Sequence, residues 1–228
     1  MEIDEKQEIA IIRAKCNLDN KDVLEIGCGD GRLSFYLAEF AKNIVAIDPD
    51  IDKIKKASDR LSSLKIHNLN FYIGKGEELI FSSDSFDAIF YSLSFHHVPI
   101  DQQNTAIKEA HRVLKNNGSL ILYEPLKDGE MQKLFLLFED ELERMEMINK
   151  MIQKNDVMGI FSINQTYNFR LAIKFVDFDE LVSCFSNLYS QDAVINNLDK
   201  IKDIIKQKLN DKPLIIYDDL FLVFMMSK

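Results

Sequence analysis

Three glycines at alternate positions follow a short apolar run in the segment Val23–Ser34, VLEIGCGDGRLS. Because glycine has no Cβ atom, Gly27, Gly29 and Gly31 predict a tight turn whose backbone a ligand can approach directly. The spacing differs from the dinucleotide fingerprint G-x-G-x-x-G, since Arg32 occupies the position of its third glycine. A P-loop would require Gly-Lys followed by Ser or Thr, which this segment lacks.

Acidic residues flank the glycines and end the next apolar run. Glu25 and Asp30 would repel a pyrophosphate at close range, so they favour a ligand that is cationic at this end. Asp48, in VAIDPD, follows the first glycine by about 20 residues, which is the placement of an acid that binds a ribose diol. Asp50 is the better-placed cap of the following helix, which leaves Asp48 for the ligand. A ribose without phosphate and a positive charge near the glycines describe S-adenosylmethionine.

Strand and helix patterns alternate through the first half of the chain and must position these residues. Five β-branched runs predict strands buried on both faces, namely Asp22–Ile26, Asn43–Asp48, Asn70–Lys75, Phe86–Ser92 and Gly118–Glu124. Strands that alternate with helices indicate a doubly wound, mostly parallel α/β sheet, in which ligands bind at the carboxyl ends of the strands. The apolar segment Pro213–Met226 predicts a final strand, which we expect to be antiparallel.

The pattern becomes helical after Pro125. One long helix is predicted by an apolar stripe that consists of Met131, Leu134, Phe138, Leu142, Met145, Ile148 and Ile152. Such a helix either packs on the domain, caps a pocket with adaptable side chains, or forms the face of a homodimer. We therefore predict a single domain over residues 1–228, with a cofactor-binding core at 18–125, a helical lid or substrate segment at 126–170, and the rest of the sheet at 171–228.

Composition excludes several classes of protein. The chain has 37 acidic and 28 basic residues, and its formal net charge of −9 disfavours a nucleic acid as partner. The three cysteines are far apart, which fits a reducing compartment. The N-terminus lacks the pattern of a signal peptide, and no run reaches the ~20 apolar residues of a membrane span. We expect a cytoplasmic protein with no membrane span.

Four stretches in consistent order resemble the Rossmann-like, S-adenosylmethionine-dependent methyltransferases. They are VLEIGCGDGR, VAIDPD, GKGEELIFSSDSFDAIFYSLSFHHV and HRVLKNNGSLILYEP, and the resemblance covers about Val23 to Glu124. It implies a seven-stranded sheet with an antiparallel C-terminal strand, and S-adenosyl-L-methionine as the cofactor. It also implies an enzyme that transfers a methyl group to an acceptor, for which in-line alignment of the acceptor is the main requirement.

The resemblance implies a set of cofactor-binding residues, namely Glu25, Gly27, Cys28, Gly29, Gly31, Asp48, Pro49, Gly76, Glu77 and Tyr91. Among these, Asp48 would hold the ribose, and Glu25 would steady the glycine loop or reach the methionine amino group. One position departs from the family, because Lys75 stands where an Asp commonly contacts the adenine amine. Lysine cannot accept that hydrogen bond, so Glu77 or the backbone around Gly76 would have to do so.

Two histidines follow the fourth predicted strand, where the acceptor would meet the cofactor. An imidazole can transfer protons near neutral pH, so His97, and then His96, are the catalytic candidates if the acceptor must lose a proton. Alternatively, His96 packs inward and His97 begins the next helix without a chemical role. The sequence shows no cluster of His, Cys and carboxylates, so no metal is expected.

The acceptor itself is predicted only by class. Met and aromatic side chains after the core favour a small, partly apolar molecule. A protein or RNA methyltransferase is an alternative and would require an exposed groove beside the cofactor. A further alternative is a module that binds S-adenosylmethionine without catalysis, but the intact glycine loop and Asp48 argue against it.

Overall fold

A computed structural model describes residues 2–3, 5–153 and 156–227, which form one β-sheet flanked by helices. The strands are β1 (Glu2–Ile3), β2 (Asp22–Ile26), β3 (Asn43–Asp48), β4 (Leu69–Ile73), β5 (Phe86–Ser92), β6 (Leu114–Pro125), β7 (Asp156–Val157), β8 (Phe161–Phe175) and β9 (Leu214–Ser227). The helices are α1 (Glu5–Cys16), α2 (Arg32–Leu37), α3 (Ile51–Ser62), α4 (Ile100–Val113), α5 (Glu130–Phe135), α6 (Leu142–Gln153), α7 (Phe178–Leu188) and α8 (Gln191–Ile204). Short 3₁₀ turns lie at Phe95–His97 and Lys206–Lys208.

The strand order is β1-β8-β9-β6-β5-β2-β3-β4, and β7 pairs with β8. Strands β4, β3, β2, β5 and β6 are mutually parallel, whereas β9 is antiparallel to β6 and β8 is antiparallel to β9. Seven of the described strands are longer than two residues. The predicted doubly wound, mostly parallel sheet with an antiparallel C-terminal strand is therefore confirmed.

Alternate side chains of the central strands enter two different cores, which explains why these strands read as continuous apolar runs. In β5, Ile89 and Tyr91 pack into the cluster on one face, while Ala88 and Phe90 pack into the cluster on the other. This burial on both faces fixes the strands rigidly. Their carboxyl ends therefore form a stable platform for the loops that follow.

The segment after β6 differs from the prediction. The single long helix is in fact two helices, because residues 136–141 turn away between α5 and α6. The reason is packing: Leu134 belongs to the cluster that includes α7 and α8, whereas Ile148 belongs to the cluster under β5 and β6. Leu142, predicted to lie on the buried stripe, is exposed. One straight helix could not reach both clusters.

A second difference concerns residues 161–170, which belong to the predicted helical lid or substrate segment. They form the first part of β8, whose 15 residues pair with β9 along its length. Residues 164–170 of this strand are half-buried or exposed and include polar side chains. The sequence there therefore lacks the continuous apolar run of the central strands. Among the described helices, none is long and apolar enough to cross a membrane.

Candidate active site

A cavity of about 460 Å³ lies at the carboxyl ends of β2, β3 and β5. Most of the predicted site residues line it, namely Gly27, Gly29, Asp48, Pro49, Gly76, Glu77, Tyr91 and His97. Its wall also includes Lys53 and Lys75 together with Asp50, so charges of both signs face the space. Such a wall suits a zwitterionic ligand better than a polyanion.

The glycines of the loop have different reasons for lacking a side chain. At Gly27, with φ of 76°, an added Cβ would lie 2.1 Å from Cβ of Ser94, so the neighbouring loop itself excludes a side chain. At Gly29, with φ of 57°, an added Cβ would meet nothing within 4 Å. At Gly31, an added Cβ would lie 2.6 Å from Cζ of Phe71, so this position also excludes a side chain. Only Gly29 of these three therefore presents open backbone to a ligand.

Asp48 connects the glycine loop to the end of β3. Its Oδ2 accepts a hydrogen bond from the Gly29 N–H at 2.8 Å, and its Oδ1 accepts one from the Asp50 N–H at 2.9 Å. Asp50 caps α3 through the N–H groups of Asp52 and Lys53, as predicted. Each Asp48 oxygen retains a further lone pair, so the carboxylate can hold the loop and also accept from a hydroxyl group.

Glu25 and Cys28 lie behind the loop and do not line the cavity. Glu25 is fully buried and accepts a hydrogen bond from the Ser34 hydroxyl at 2.6 Å. Burial raises the pKa of Glu25 to about 7, although the hydroxyls of Ser34 and Ser92 oppose the shift. Glu25 therefore links α2 and the end of β5 behind the loop, and its role in cofactor binding stays a prediction. Cys28 is a buried thiol whose pKa burial raises, and only its backbone belongs to the loop.

Tyr91 forms the floor of the cavity. Its ring is fully buried, and its hydroxyl has no hydrogen-bond partner among the described residues. Burial raises the pKa of Tyr91, so the group stays a neutral phenol. An added Cβ on Gly76 would lie 2.4 Å from this hydroxyl, so Gly76 is needed to let the Lys75–Glu77 loop pass over the ring. The open backbone at Gly29 and the unsatisfied phenol fit a bound nucleoside.

The loop after β5 is held by Glu124, at the end of β6. Oε1 of Glu124 accepts hydrogen bonds from the N–H groups of Ser94, at 3.2 Å, and Phe95, at 2.7 Å. Its Oε2 bonds Nδ1 of His96. The Ser94 hydroxyl donates to the Ile26 carbonyl at 2.6 Å, which ties this loop to the end of β2. His96 thus packs inward, one of the two predicted arrangements.

His97 lies between two cavities. Its Nδ1 is 2.6 Å from Oε1 of Glu141, a buried carboxylate that the break between α5 and α6 brings to this place. A second cavity, of about 180 Å³, adjoins the first, and Leu93 and His97 line both. The second cavity is also lined by His96, Pro125, Gln132, Phe135, Glu139, Glu141 and Asp218.

Charge is concentrated around the second cavity. Burial alone would lower the pKa of His96, but Glu124 and Glu141 hold it above its usual value. Burial would raise the pKa of Glu141, but the hydrogen bond from His97 and the charge of His96 hold it well below its usual range. Burial, reinforced by Asp219, raises the pKa of Asp218 to about 7. The second cavity is therefore lined by several ionisable side chains as well as by the apolar Leu93, Pro125 and Phe135.

Sequence reasoning missed Glu124 and Glu141. Glu124 closes the quoted stretch HRVLKNNGSLILYEP, and a carboxylate at the end of a buried strand was a usable signal. Glu141 gave no such signal, because it stands in an acidic run after Phe138 and reaches the site only through the helix break. His96, His97 and Glu141 form the cluster of potential metal ligands that the sequence did not indicate.

Comparison with known proteins gives the family. A family model described as methyltransferase domain matches residues 23–118. The ubiquinone/menaquinone biosynthesis C-methyltransferase UbiE of Rickettsia peacockii is 30% identical over 177 residues, which cover 71% of this chain and 70% of that protein. The corresponding protein of Rickettsia typhi is 28% identical over the same shares of the two chains.

Solved structures agree on the fold. The YcgJ protein from Bacillus subtilis has a TM-score of 0.66 at 20% identity and covers 97% of each chain. A SAM-dependent methyltransferase from Aquifex aeolicus has a TM-score of 0.59 at 15% identity, over 97% of this chain and 90% of that one. The Rickettsia peacockii relative, together with the glycine loop and Asp48 at one cavity, shows that the chain belongs to the Rossmann-like, S-adenosylmethionine-dependent methyltransferases.

Proposed function

We propose that this methyltransferase acts on a small molecule that binds in the second cavity, beside the cofactor. The observation that carries the proposal is that Leu93 and His97 line both cavities, so a molecule in either one contacts the same wall. The second cavity, about 180 Å³, is large enough for a ring-sized group.

On the cofactor side, S-adenosylmethionine supplies an activated methyl group when bound. Asp48 is proposed to accept from the ribose hydroxyls, and the open backbone at Gly29 to lie against the methionine part. Tyr91 and Gly76 are proposed to bound the adenine side. Glu77 lines the same wall and can accept a hydrogen bond from an amine, which Lys75 cannot.

On the acceptor side, apolar and polar groups are mixed. Leu93, Pro125 and Phe135 supply apolar surface, and Gln132 supplies a donor and an acceptor. The two Rickettsia relatives are C-methyltransferases of ubiquinone and menaquinone biosynthesis, which supports a small-molecule acceptor for this chain. We propose that His97 contacts the acceptor at the junction of the cavities, with Glu141 fixing its ring.

A cytoplasmic location belongs to the same proposal. Cys16, Cys28 and Cys184 are free thiols, as a reducing compartment allows. A homodimer and the lack of a nucleic-acid partner stay predictions from the sequence.

The test combines cofactor binding with a screen of acceptors. Calorimetry should give S-adenosylmethionine binding to the wild type, and a small-metabolite pool should yield S-adenosylhomocysteine in an enzyme-dependent way. His97→Ala should then lower kcat by about 100-fold and leave cofactor affinity nearly unchanged. His67→Ala, at an exposed position outside both cavities, is the matched control. Turnover only with protein or RNA acceptors would refute the proposal.

A further inference from the structure

The cluster at the second cavity has the composition of a metal site. One ligand atom each from His96, His97 and Glu141 lies within 4.8 Å of the other two. Two imidazole nitrogens and one carboxylate oxygen, with positions left open, form the ligand set of catalytic zinc sites. We propose that this cluster binds one divalent transition-metal ion of the zinc type.

The orientation of His96 supports this assignment. Glu124 bonds its Nδ1, which fixes the ring and leaves Nε2 directed to the cluster. A carboxylate behind a ligating histidine is the usual outer partner in protein metal sites. Nε2 of His96 lies 3.7 Å from Oε2 of Glu141, which is too long for a hydrogen bond. That separation is close to the spacing of two atoms that bind one ion with bonds of about 2.0–2.2 Å.

The other two ligands can reach the same ion with small movements. His97 is more than half exposed on its side chain, so its ring can turn, whereas Glu141 is buried and fixed. Glu141 uses Oε1 for His97 and for Arg144, at 3.3 Å, so Oε2 remains toward His96. The ion would replace the proton that His97 and Glu141 share.

The surrounding charge favours a cation despite Arg144. The guanidinium of Arg144 is also bound to the His96 carbonyl, at 2.7 Å, so its position is set from outside the cluster. Against the positive charge of Arg144 stand the carboxylates of Glu124 and Glu139, besides that of Glu141 itself. Asp218 also lines this cavity, and a cation bound there would favour its ionised form. A dication would offset this excess of negative charge.

The donor set also selects the ion. Mg²⁺ and Ca²⁺ prefer oxygen ligands throughout, whereas imidazole suits Zn²⁺, Co²⁺ and Ni²⁺. The cavity leaves the remaining coordination positions accessible, so an oxygen of the acceptor could bind there beside the cofactor cavity. This last consequence depends on the proposed function, but metal binding itself does not.

The experiment measures metal binding directly. The full-length protein, freed of metal with EDTA, is titrated with Zn²⁺ by calorimetry and with Co²⁺ by visible absorption. We expect one equivalent, and we expect His97→Ala and Glu141→Gln each to weaken binding by at least about tenfold, and Glu124→Gln by about 10–100-fold. His67→Ala, an exposed histidine outside the cluster, should bind as the wild type does.

Two outcomes would overturn the inference: a wild type that takes up no stoichiometric metal, or His97→Ala and Glu141→Gln variants that bind as tightly as the wild type. S-adenosylmethionine binding by each variant checks that it is folded. Metal binding without turnover of any small acceptor would refute the proposed function and leave this inference standing. Turnover by a protein that binds no Zn²⁺ or Co²⁺ would refute this inference and leave the proposed function standing.

Discussion

The cavity of about 460 Å³, in which we propose that the cofactor binds and which we call the cofactor cavity, adjoins the second cavity. The two are nevertheless assembled from different parts of the chain. The cofactor cavity takes its wall from residues 26–99, at the ends of consecutive parallel strands. The second cavity combines the loop after β5 with the break between α5 and α6 and with Asp218 of β9. Parallel pairing places the carboxyl ends of these strands at one edge of the sheet, which brings the first set of residues together. The second cavity depends instead on how segments far apart in the sequence pack.

The largest expected effect separates the glycines that the fold requires from the one that the ligand requires. Gly27→Ala should destabilise the protein by about 3 kcal/mol or more, because its Cβ would overlap Ser94 in a left-handed conformation. Gly29→Ala should cost only about 1–2 kcal/mol from its positive φ. Urea unfolding of both variants measures the difference in stability. Calorimetry should find that Gly29→Ala binds the cofactor more weakly than Gly27→Ala does. Unchanged cofactor affinity in Gly29→Ala would contradict a role of its open backbone at the ligand.

The next effect concerns Asp48. Asp48→Ala should weaken S-adenosylmethionine binding by about 100-fold, since hydrogen bonds to a charged acceptor contribute about 1.5–3 kcal/mol each. The variant also releases the Gly29 N–H, which loosens the loop. Asp52→Ala, four residues away and exposed on α3, is the control for calorimetry. Unchanged affinity in Asp48→Ala would mean that the cofactor does not use this carboxylate.

The next prediction concerns Glu124, which holds the loop after β5. Because this loop lines both cavities, a change at Glu124 tests how strongly both depend on one carboxylate. Glu124→Gln should lower the free energy of unfolding by about 2–3 kcal/mol, because an amide cannot accept from Ser94, Phe95 and His96 together. Thermal and urea unfolding measure the loss, with the exposed Glu143→Gln as control. A stability equal to wild type would show that the loop after β5 is held by other contacts.

The smallest effect is a pH dependence on the cofactor side. Since Glu25 has a pKa of about 7 in the fold and 4.5 as its ordinary value, the folded protein keeps a proton that the unfolded chain releases between these pH values. Wild-type stability therefore falls as pH rises through this window, and ionised Glu25 stays unfavourable above it. Glu25→Gln should thus gain about 2 kcal/mol relative to wild type between pH 5 and pH 8.

Urea unfolding at the two pH values checks this expectation, with Glu39→Gln as a surface control. Parallel stability profiles for wild type and Glu25→Gln would contradict the assigned protonation of Glu25. The same comparison cancels the titration of groups that both proteins share, such as Asp218.

Much of the fold and of the cofactor side could be predicted because the evidence there is local. The runs that became β2, β3 and β5 coincide with the strands observed, since each is apolar on both faces. Strand β8 could not be recognised in the same way, because its exposed half carries polar residues. The side chains of Glu25 and Cys28 do not line the cavity, which the sequence could not show because spacing alone does not reveal which side of a turn a side chain takes.

The sequence by itself determined the parallel sheet, the glycine loop and the acid at the end of β3, because short-range pattern and strand order dictate them. Only the tertiary structure decided that the helical stripe after Pro125 breaks, and that Glu141 then meets His97 at 2.6 Å. The physical reason is that the two ends of this amphipathic segment pack on two separate hydrophobic clusters. Which residues pack on which cluster depends on contacts between residues far apart in the sequence, and a local pattern does not contain that information.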